Sequence, residues 1–232
     1  VPGGAASRPS RQSGDAIRSI AVPSEWRIGT LRSCLTENPV NGIYKPAQAI
    51  GSEGTLMIGQ TAFTEARSID YTLCRRGKCS TKEQLRWGVL ENDILVTRVF
   101  ATAEGVGLPT LVPSLPEPAV FESNMMRLRV DRSVILPRLL FEWLRTPVAR
   151  RILESGVNAS NQASVNQGAL NPLPVPLPPM VEQLKMVEVI EQIDRRIGTE
   201  RATLAQLRGI KSGLMHDLLT GKVRLNVDER VQ

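Results

Sequence analysis

The sequence predicts an α+β protein: one mixed α/β domain followed by a long C-terminal coiled-coil helix. Three observations carry that prediction. Short β-branched segments broken by Gly, Pro and Asn fill residues 42–135. Helical spacing replaces them over 136–155. From Met180 onward, apolar residues recur at three- and four-residue intervals as far as Thr220. The expected boundaries are a flexible N-terminal segment at 1–21, the domain at 22–171, a Pro-rich connector at 172–179, the long helix at 180–221 and a tail at 222–232.

Each element has a local reason. Residues 1–21 are rich in Gly, Ser, Pro and Arg and lack the apolar residues a core needs. Order is expected to begin near Trp26. Asn92-Asp93 reads as a turn feeding the strand Ile94–Phe100, and Ala119–Phe121 as a further strand after a loop holding Pro109, Pro113, Pro116 and Pro118. Residues 125–130 alternate, with Met126, Leu128 and Val130 on one side and Arg127 and Arg129 on the other. That pattern predicts a strand with one wet face. Leu139, Leu140, Trp143 and Leu144 share a helical face. Prolines at 172, 174, 176, 178 and 179 forbid a helix there and predict an extended, stiff stretch.

The long helix follows. With a at Ile190, Ile197, Leu204, Lys211 and Leu218, and d at Met186, Ile193, Glu200, Leu207 and Leu214, all but Lys211 and Glu200 are apolar. Thr220-Gly221 supplies the stop. Such a rod cannot bury its stripe on itself, and the chain holds no second heptad segment. A partner helix is therefore expected from elsewhere, with Met186, Ile190, Ile193, Ile197, Leu204, Leu207, Leu214 and Leu218 as its contact face.

Composition narrows the function. The chain carries 29 Lys and Arg against 23 Asp and Glu, a net charge of +6. The long helix is balanced, at six basic against six acidic groups over 180–220, so the excess lies elsewhere. A local cluster of Arg75, Arg76, Lys78, Lys82 and Arg86 suits a polyanion or a solvated loop. With one histidine, His216 on an outward helix position, a Ser-His-Asp triad or a multi-His metal site lacks material. Cys34, Cys74 and Cys79 form no metal or disulfide framework, so no metal is expected. No dinucleotide fingerprint, P-loop or H-E-x-x-H motif occurs, and no cofactor is expected. No apolar run of membrane-spanning length and no secretory apolar region is visible, which suggests the cytoplasm.

Several blocks together resemble a known family. They are Leu173-Pro-Val-Pro-Leu-Pro-Pro-Met-Val-Glu-Gln183, the heptad helix, and Lys211-Ser-Gly-Leu-Met-His-Asp-Leu-Leu-Thr-Gly-Lys-Val-Arg-Leu225. Gly42-Ile-Tyr-Lys-Pro46 and Asn92-Asp-Ile-Leu-Val-Thr-Arg98 add to them. The set is similar to type I restriction-modification specificity subunits (HsdS), over about 22–225 and in the family's order. The resemblance implies a non-catalytic, DNA-binding subunit. In that family two target recognition domains each read half of a split target, two long helices pack antiparallel as a spacer, and methyltransferase and endonuclease subunits dock. This chain departs from the pattern with one domain and one helix. It looks like a half subunit, pairing with itself or with another half subunit, or like the C-terminal half of a longer one. A non-DNA coiled-coil adaptor is the alternative.

Duplex reading needs phosphate contacts for placement and base-edge contacts for sequence. Phosphate candidates are Lys45, Arg75, Arg76, Lys78, Lys82 and Arg98. Base-edge candidates are Asn158, Ser160, Asn161, Gln162, Asn166 and Gln167, because carboxamides pair bidentately with adenine. Arg75 or Arg76 could equally read guanine, and Tyr44 could stack near the DNA or sit in the core.

Overall fold

A computed structural model describes residues 22–155 and 163–225. The N-terminal segment 1–21, the candidates Asn158, Ser160, Asn161 and Gln162, and the end of the tail lie outside the described residues.

Among the described residues, twelve short strands follow in chain order: β1 (Arg27–Thr30), β2 (Val40–Asn41), β3 (Ile50–Gly51), β4 (Thr55–Ile58), β5 (Arg75–Gly77), β6 (Ile94–Thr97), β7 (Val99–Phe100), β8 (Pro109–Leu111), β9 (Ala119–Phe121), β10 (Met125–Leu128), β11 (Ala163–Ser164) and β12 (Pro174–Leu177). The helices are α1 (Thr81–Trp87), α2 (Pro137–Arg145), α3 (Pro147–Ser155), α4 (Gln167–Leu170) and α5 (Met180–Leu219). This is the mixed α+β architecture with a long C-terminal helix that the sequence predicts. Two four-stranded sheets, ordered β2-β10-β6-β8 and β3-β5-β4-β9, form the body. All their pairings are antiparallel except β4 with β9. Leu56, Ile58, Leu95, Phe121 and Met125 bring side chains of both sheets into one core.

The wet face expected on β10 is absent. Met125–Leu128 is buried throughout because β10 is central, between β2 and β6. Arg127, 3% exposed, is compensated rather than solvated: Nη2 bonds Glu37 at 2.8 Å, Nη1 donates to the Gly88 carbonyl, and the guanidinium lies over Phe121. Arg129 forks onto buried Asp93 at 2.8 and 3.1 Å. Asp93 also closes its turn by accepting from the Leu90 amide at 2.8 Å, next to Asn92 at φ 70°. A buried charge persists only when paired in this way.

The proline stretch is extended and packed. Pro174–Leu177 pairs antiparallel with β1, Thr30 opposite Pro174 and Arg27 opposite Leu177, and all four residues are buried. Donors on a strand alternate sides, so Val175 and Leu177 supply the N–H groups that Pro174 and Pro176 lack. Trp143 donates its indole N–H to the Pro174 carbonyl at 3.0 Å. Helix α5 then begins with Gln183 buried. Its Oε1 accepts from the Leu136 amide at 2.9 Å, and Nε2 donates to the Val134 and Pro178 carbonyls at 3.0 and 2.9 Å.

The chain divides into two compact units after Leu184. From Lys185 the second unit continues α5, whose 40 residues at 1.5 Å each make a rod of roughly 60 Å. No helix among the described residues is long and apolar enough to cross a membrane.

Candidate functional site

The site starts from two glycines. A Cβ on Gly42 would stand 2.1 Å from the Glu122 carbonyl oxygen, so only glycine permits that approach. The Gly42 amide donates to Met125 O at 3.1 Å and the Ile43 amide to Phe121 O at 2.9 Å, fixing the segment beside the β9–β10 turn. Ile43 points inward against Met57 and Val120. Its neighbour Tyr44 points out and is 78% exposed, so it is not a core tyrosine. Across the turn, a Cβ on Gly59 would come within 2.9 Å of the Glu122 carboxylate, which therefore rests on bare backbone.

The result is a cleft of about 410 Å³ walled by Tyr44, Lys45, Met57, Arg75 and the turn Glu122-Ser123-Asn124. It gathers two of the expected phosphate candidates and the expected stacking residue. Both cations are engaged. Arg75 Nη2 meets Glu122 Oε1 at 2.5 Å while the arginine stays 54% exposed. Lys45 Nζ meets Glu83 at 2.7 Å. Glu83 is also the third residue of α1, where its carboxylate accepts from the Ser80 amide at 2.8 Å and completes a capping box. The Lys45 ammonium first, then the Ser80 donors, hold its pKa down at about 2. Arg98 flanks the turn, its Nε donating to Ser123 O at 3.0 Å.

Of the remaining cations, Lys78 lines a second cleft of about 650 Å³, together with Thr55, Ser80, Gln84 and Glu117. Arg76 forks onto Glu117 and also donates to Gly54 O at 2.9 Å, so it is committed within the domain. Lys78 and Lys82 are exposed and form no ion pair among the described residues. Arg86 stacks on Trp87, 4.9 Å from the ring centroid.

The described amide candidates are used in the fold. Asn166 caps α4 by accepting from the Ala169 amide at 3.0 Å, and Gln167 Nε2 donates to Pro39 O at 2.5 Å. On α5, Ile193, Ile197, Leu204, Leu207 and Leu214 are exposed, while Met186, Ile190 and Leu218 are partly so. No group of metal-ligating side chains is assembled among the described residues. Burial pushes the Cys34 and Cys74 thiols up to about 11, which leaves them un-ionised at neutral pH.

Glu122, Ser123 and Asn124 escape a sequence reading. Nothing in a lone Glu-Ser-Asn marks it. The signal lies in glycines at 42 and 59, which are informative only once both are known to face the same turn.

Comparison with known proteins follows the same lines. The family described as Type I restriction modification DNA specificity domain matches residues 91–208, 118 of the 232 residues. The putative type I restriction enzyme MjaX specificity subunit of Methanocaldococcus jannaschii is 29% identical over 136 residues, covering 58% of this chain and 32% of that protein. The type I restriction enzyme StySPI specificity subunit of Salmonella potsdam is 28% identical over 179 residues, covering 77% and 38%. The HsdS subunit of Thermoanaerobacter tengcongensis shares the fold at a TM-score of 0.58 and 16% identity, over 89% of this chain and 49% of that one. The type I S subunit of M. genitalium gives 0.51 at 13% identity, over 85% and 47%. The chain thus spans about a third of the length of the curated relatives it matches.

Proposed function

Because the chain belongs to the type I restriction modification DNA specificity family, we propose that it is a non-catalytic recognition subunit that reads one half-site of a split duplex target. Its place on this reading is the cytoplasm. Methyltransferase and endonuclease subunits dock on it and perform the chemistry. The observation that carries the proposal, beyond family membership, is the cleft that sets exposed Tyr44 beside Lys45 and Arg75.

Lys78 and Lys82 are the cations most available for phosphate, since no carboxylate among the described residues pairs with them. Arg75 and Lys45 must exchange or share a carboxylate to reach one. Arg76 and Arg98 serve more as braces than as free contacts. Asn166 and Gln167 stay as base-edge candidates only if DNA displaces their present hydrogen bonds. Asn158, Ser160, Asn161 and Gln162 remain proposed base readers. The exposed stripe on α5 supplies a pairing face for a second long helix, from another copy or from another half subunit.

The test is duplex binding by the chain with its modification subunit over a salt series. Affinity should fall linearly in log–log form by about 0.9 per phosphate neutralised, and cognate duplex should outcompete random duplex. Equal affinity for both overturns the reading and favours a protein-binding adaptor. For the helix, light scattering at micromolar concentration should report a pair; a monomer there overturns self-pairing.

A further inference from the structure

Glu122 is an anomaly on a surface proposed to take a polyanion. It is the acidic group of the smaller cleft, whose other charged walls are Lys45 and Arg75. A carboxylate there repels phosphate and weakens binding to every sequence alike. Its presence calls for a use that outweighs that loss.

The geometry fixes this carboxylate on two sides and leaves it open on a third. Arg75 takes Oε1 at 2.5 Å. Gly59 lies beneath, close enough that a Cβ would stand 2.9 Å from Oε2 and 3.1 Å from Oε1. The Glu122 amide donates to Ile58 O at 3.0 Å, so the backbone is held as well. Oε2 has no hydrogen-bond donor among the described residues, and the side chain, 16% exposed, still borders the cleft. An oriented acceptor with a vacant lone pair is suited to a donor from outside. Ionised carboxylates only accept, and the major groove presents donors at the cytosine N4 and adenine N6 amino groups. Guanine O6 and thymine O4 are acceptors at the equivalent edge, and a carboxylate rejects them. Attraction to one class and repulsion from the other is what specificity requires.

We infer that Glu122 is a specificity-determining residue: its carboxylate, oriented by Arg75 and seated on Gly59, accepts a hydrogen bond from an exocyclic amino group of one base in the half-site. This rests on the DNA-reading function proposed above. Arg75 then has two duties, orienting Glu122 and cancelling its charge near the phosphates. A purely structural ion pair predicts something different, namely that loss of Glu122 changes affinity for all duplexes together.

The test selects duplexes from a randomised pool with the full chain and its modification subunit, for the native protein and for Glu122→Ala, which removes the acceptor that a glutamine would keep. The expected result is that preference for the amino-bearing base at one position drops by roughly 5- to 150-fold, with all other positions kept. An unchanged motif, or uniform weakening, overturns the inference. A second arm needs no variant. The native protein is offered the selected duplex with that base replaced by an analogue lacking the amino group, purine for adenine or 2-pyrimidinone for cytosine. Discrimination should fall by the same factor; undiminished binding overturns the inference even if the variant misfolds. If the native protein selects no motif at all, the DNA-reading function itself fails. A motif that survives Glu122→Ala intact removes only the role of Glu122.

Discussion

Helices α2 and α5 both carry apolar residues at helical spacing. On α2, Leu139, Leu140, Phe141 and Leu144 are at most 8% exposed. On α5, Ile193, Ile197, Leu204, Leu207 and Leu214 are 43 to 57% exposed. The residue types are nearly the same, so the difference comes from what surrounds them. Helix α2 is nine residues long and packs within the first unit; α5 runs 40 residues, and from Lys185 on it belongs to the second unit. Periodicity states which face wants burial. Only the rest of the chain decides whether burial is available.

Matched truncations test that difference most strongly. Leu140→Ala should lower the unfolding free energy by about 2–5 kcal/mol, because a fully buried leucine leaves a cavity behind. Leu204→Ala should change the unfolding free energy of the dilute chain by less than about 0.5 kcal/mol, yet raise the concentration needed for helix pairing. Equal destabilisation in dilute solution would mean that the chain covers its own stripe, and the contrast would vanish.

Gln183 marks where the two regimes meet. It is the one buried residue of α5, and all three of its side-chain hydrogen bonds go to backbone outside that helix. Gln183→Ala would leave the Leu136 amide and the Val134 and Pro178 carbonyls unpaired. It should cost about 2–3 kcal/mol, and amide exchange should quicken in the first turn of α5. An unchanged exchange pattern would show that β12 alone anchors the helix.

What could be read in advance follows from the range of each interaction. The apolar periodicity of α5, the strand after Asn92-Asp93 and the extended proline stretch are local patterns, and their sequences declare them; the expected Ile94–Phe100 strand breaks at Arg98, where the chain leaves the four-stranded sheet as β6 and pairs with β11 as β7. The burial of Arg127 is not local. Alternation assigns it to water, and its compensation comes from Glu37, which lies 90 residues away. The cleft is mixed. Tyr44 and Lys45 sit in a recognisable block, whereas Glu122 matters only because Gly42 and Gly59 let backbone approach it from two sides. The amides of Asn166 and Gln167 look free in sequence because a cap and a single long-range carbonyl leave no periodic trace.

A smaller effect probes the helix alone. Gly198, Gly209 and Gly213 would meet nothing within 4 Å if given a Cβ, so nothing among the described residues requires glycine there. Gly209→Ala should stabilise the helix by about 1 kcal/mol, read as higher helical ellipticity and a later melt. A loss of helix pairing on that substitution would instead place the partner against Gly209 and widen the docking face beyond the a and d positions.

The smallest effect concerns charge in the two regions. In the domain, Lys45 and Glu83 sit 2.7 Å apart and mostly covered; on α5, Arg195 and Glu191 are 4.0 Å apart and exposed. Glu83 is held at about 2, below its ordinary 4.5, by Lys45 and the Ser80 donors. A depressed carboxylate contributes stability that is complete above about pH 4.5 and is lost as pH falls from there toward 2. Glu83→Gln should therefore flatten the fall of melting temperature across that window. Glu191→Gln should change the melting temperature little, because an exposed pair at that distance contributes almost nothing. If Glu83→Gln leaves the acid limb as steep as before, the carboxylate is not held by Lys45 in solution. Lys45 is then free to reach phosphate without first giving up its partner.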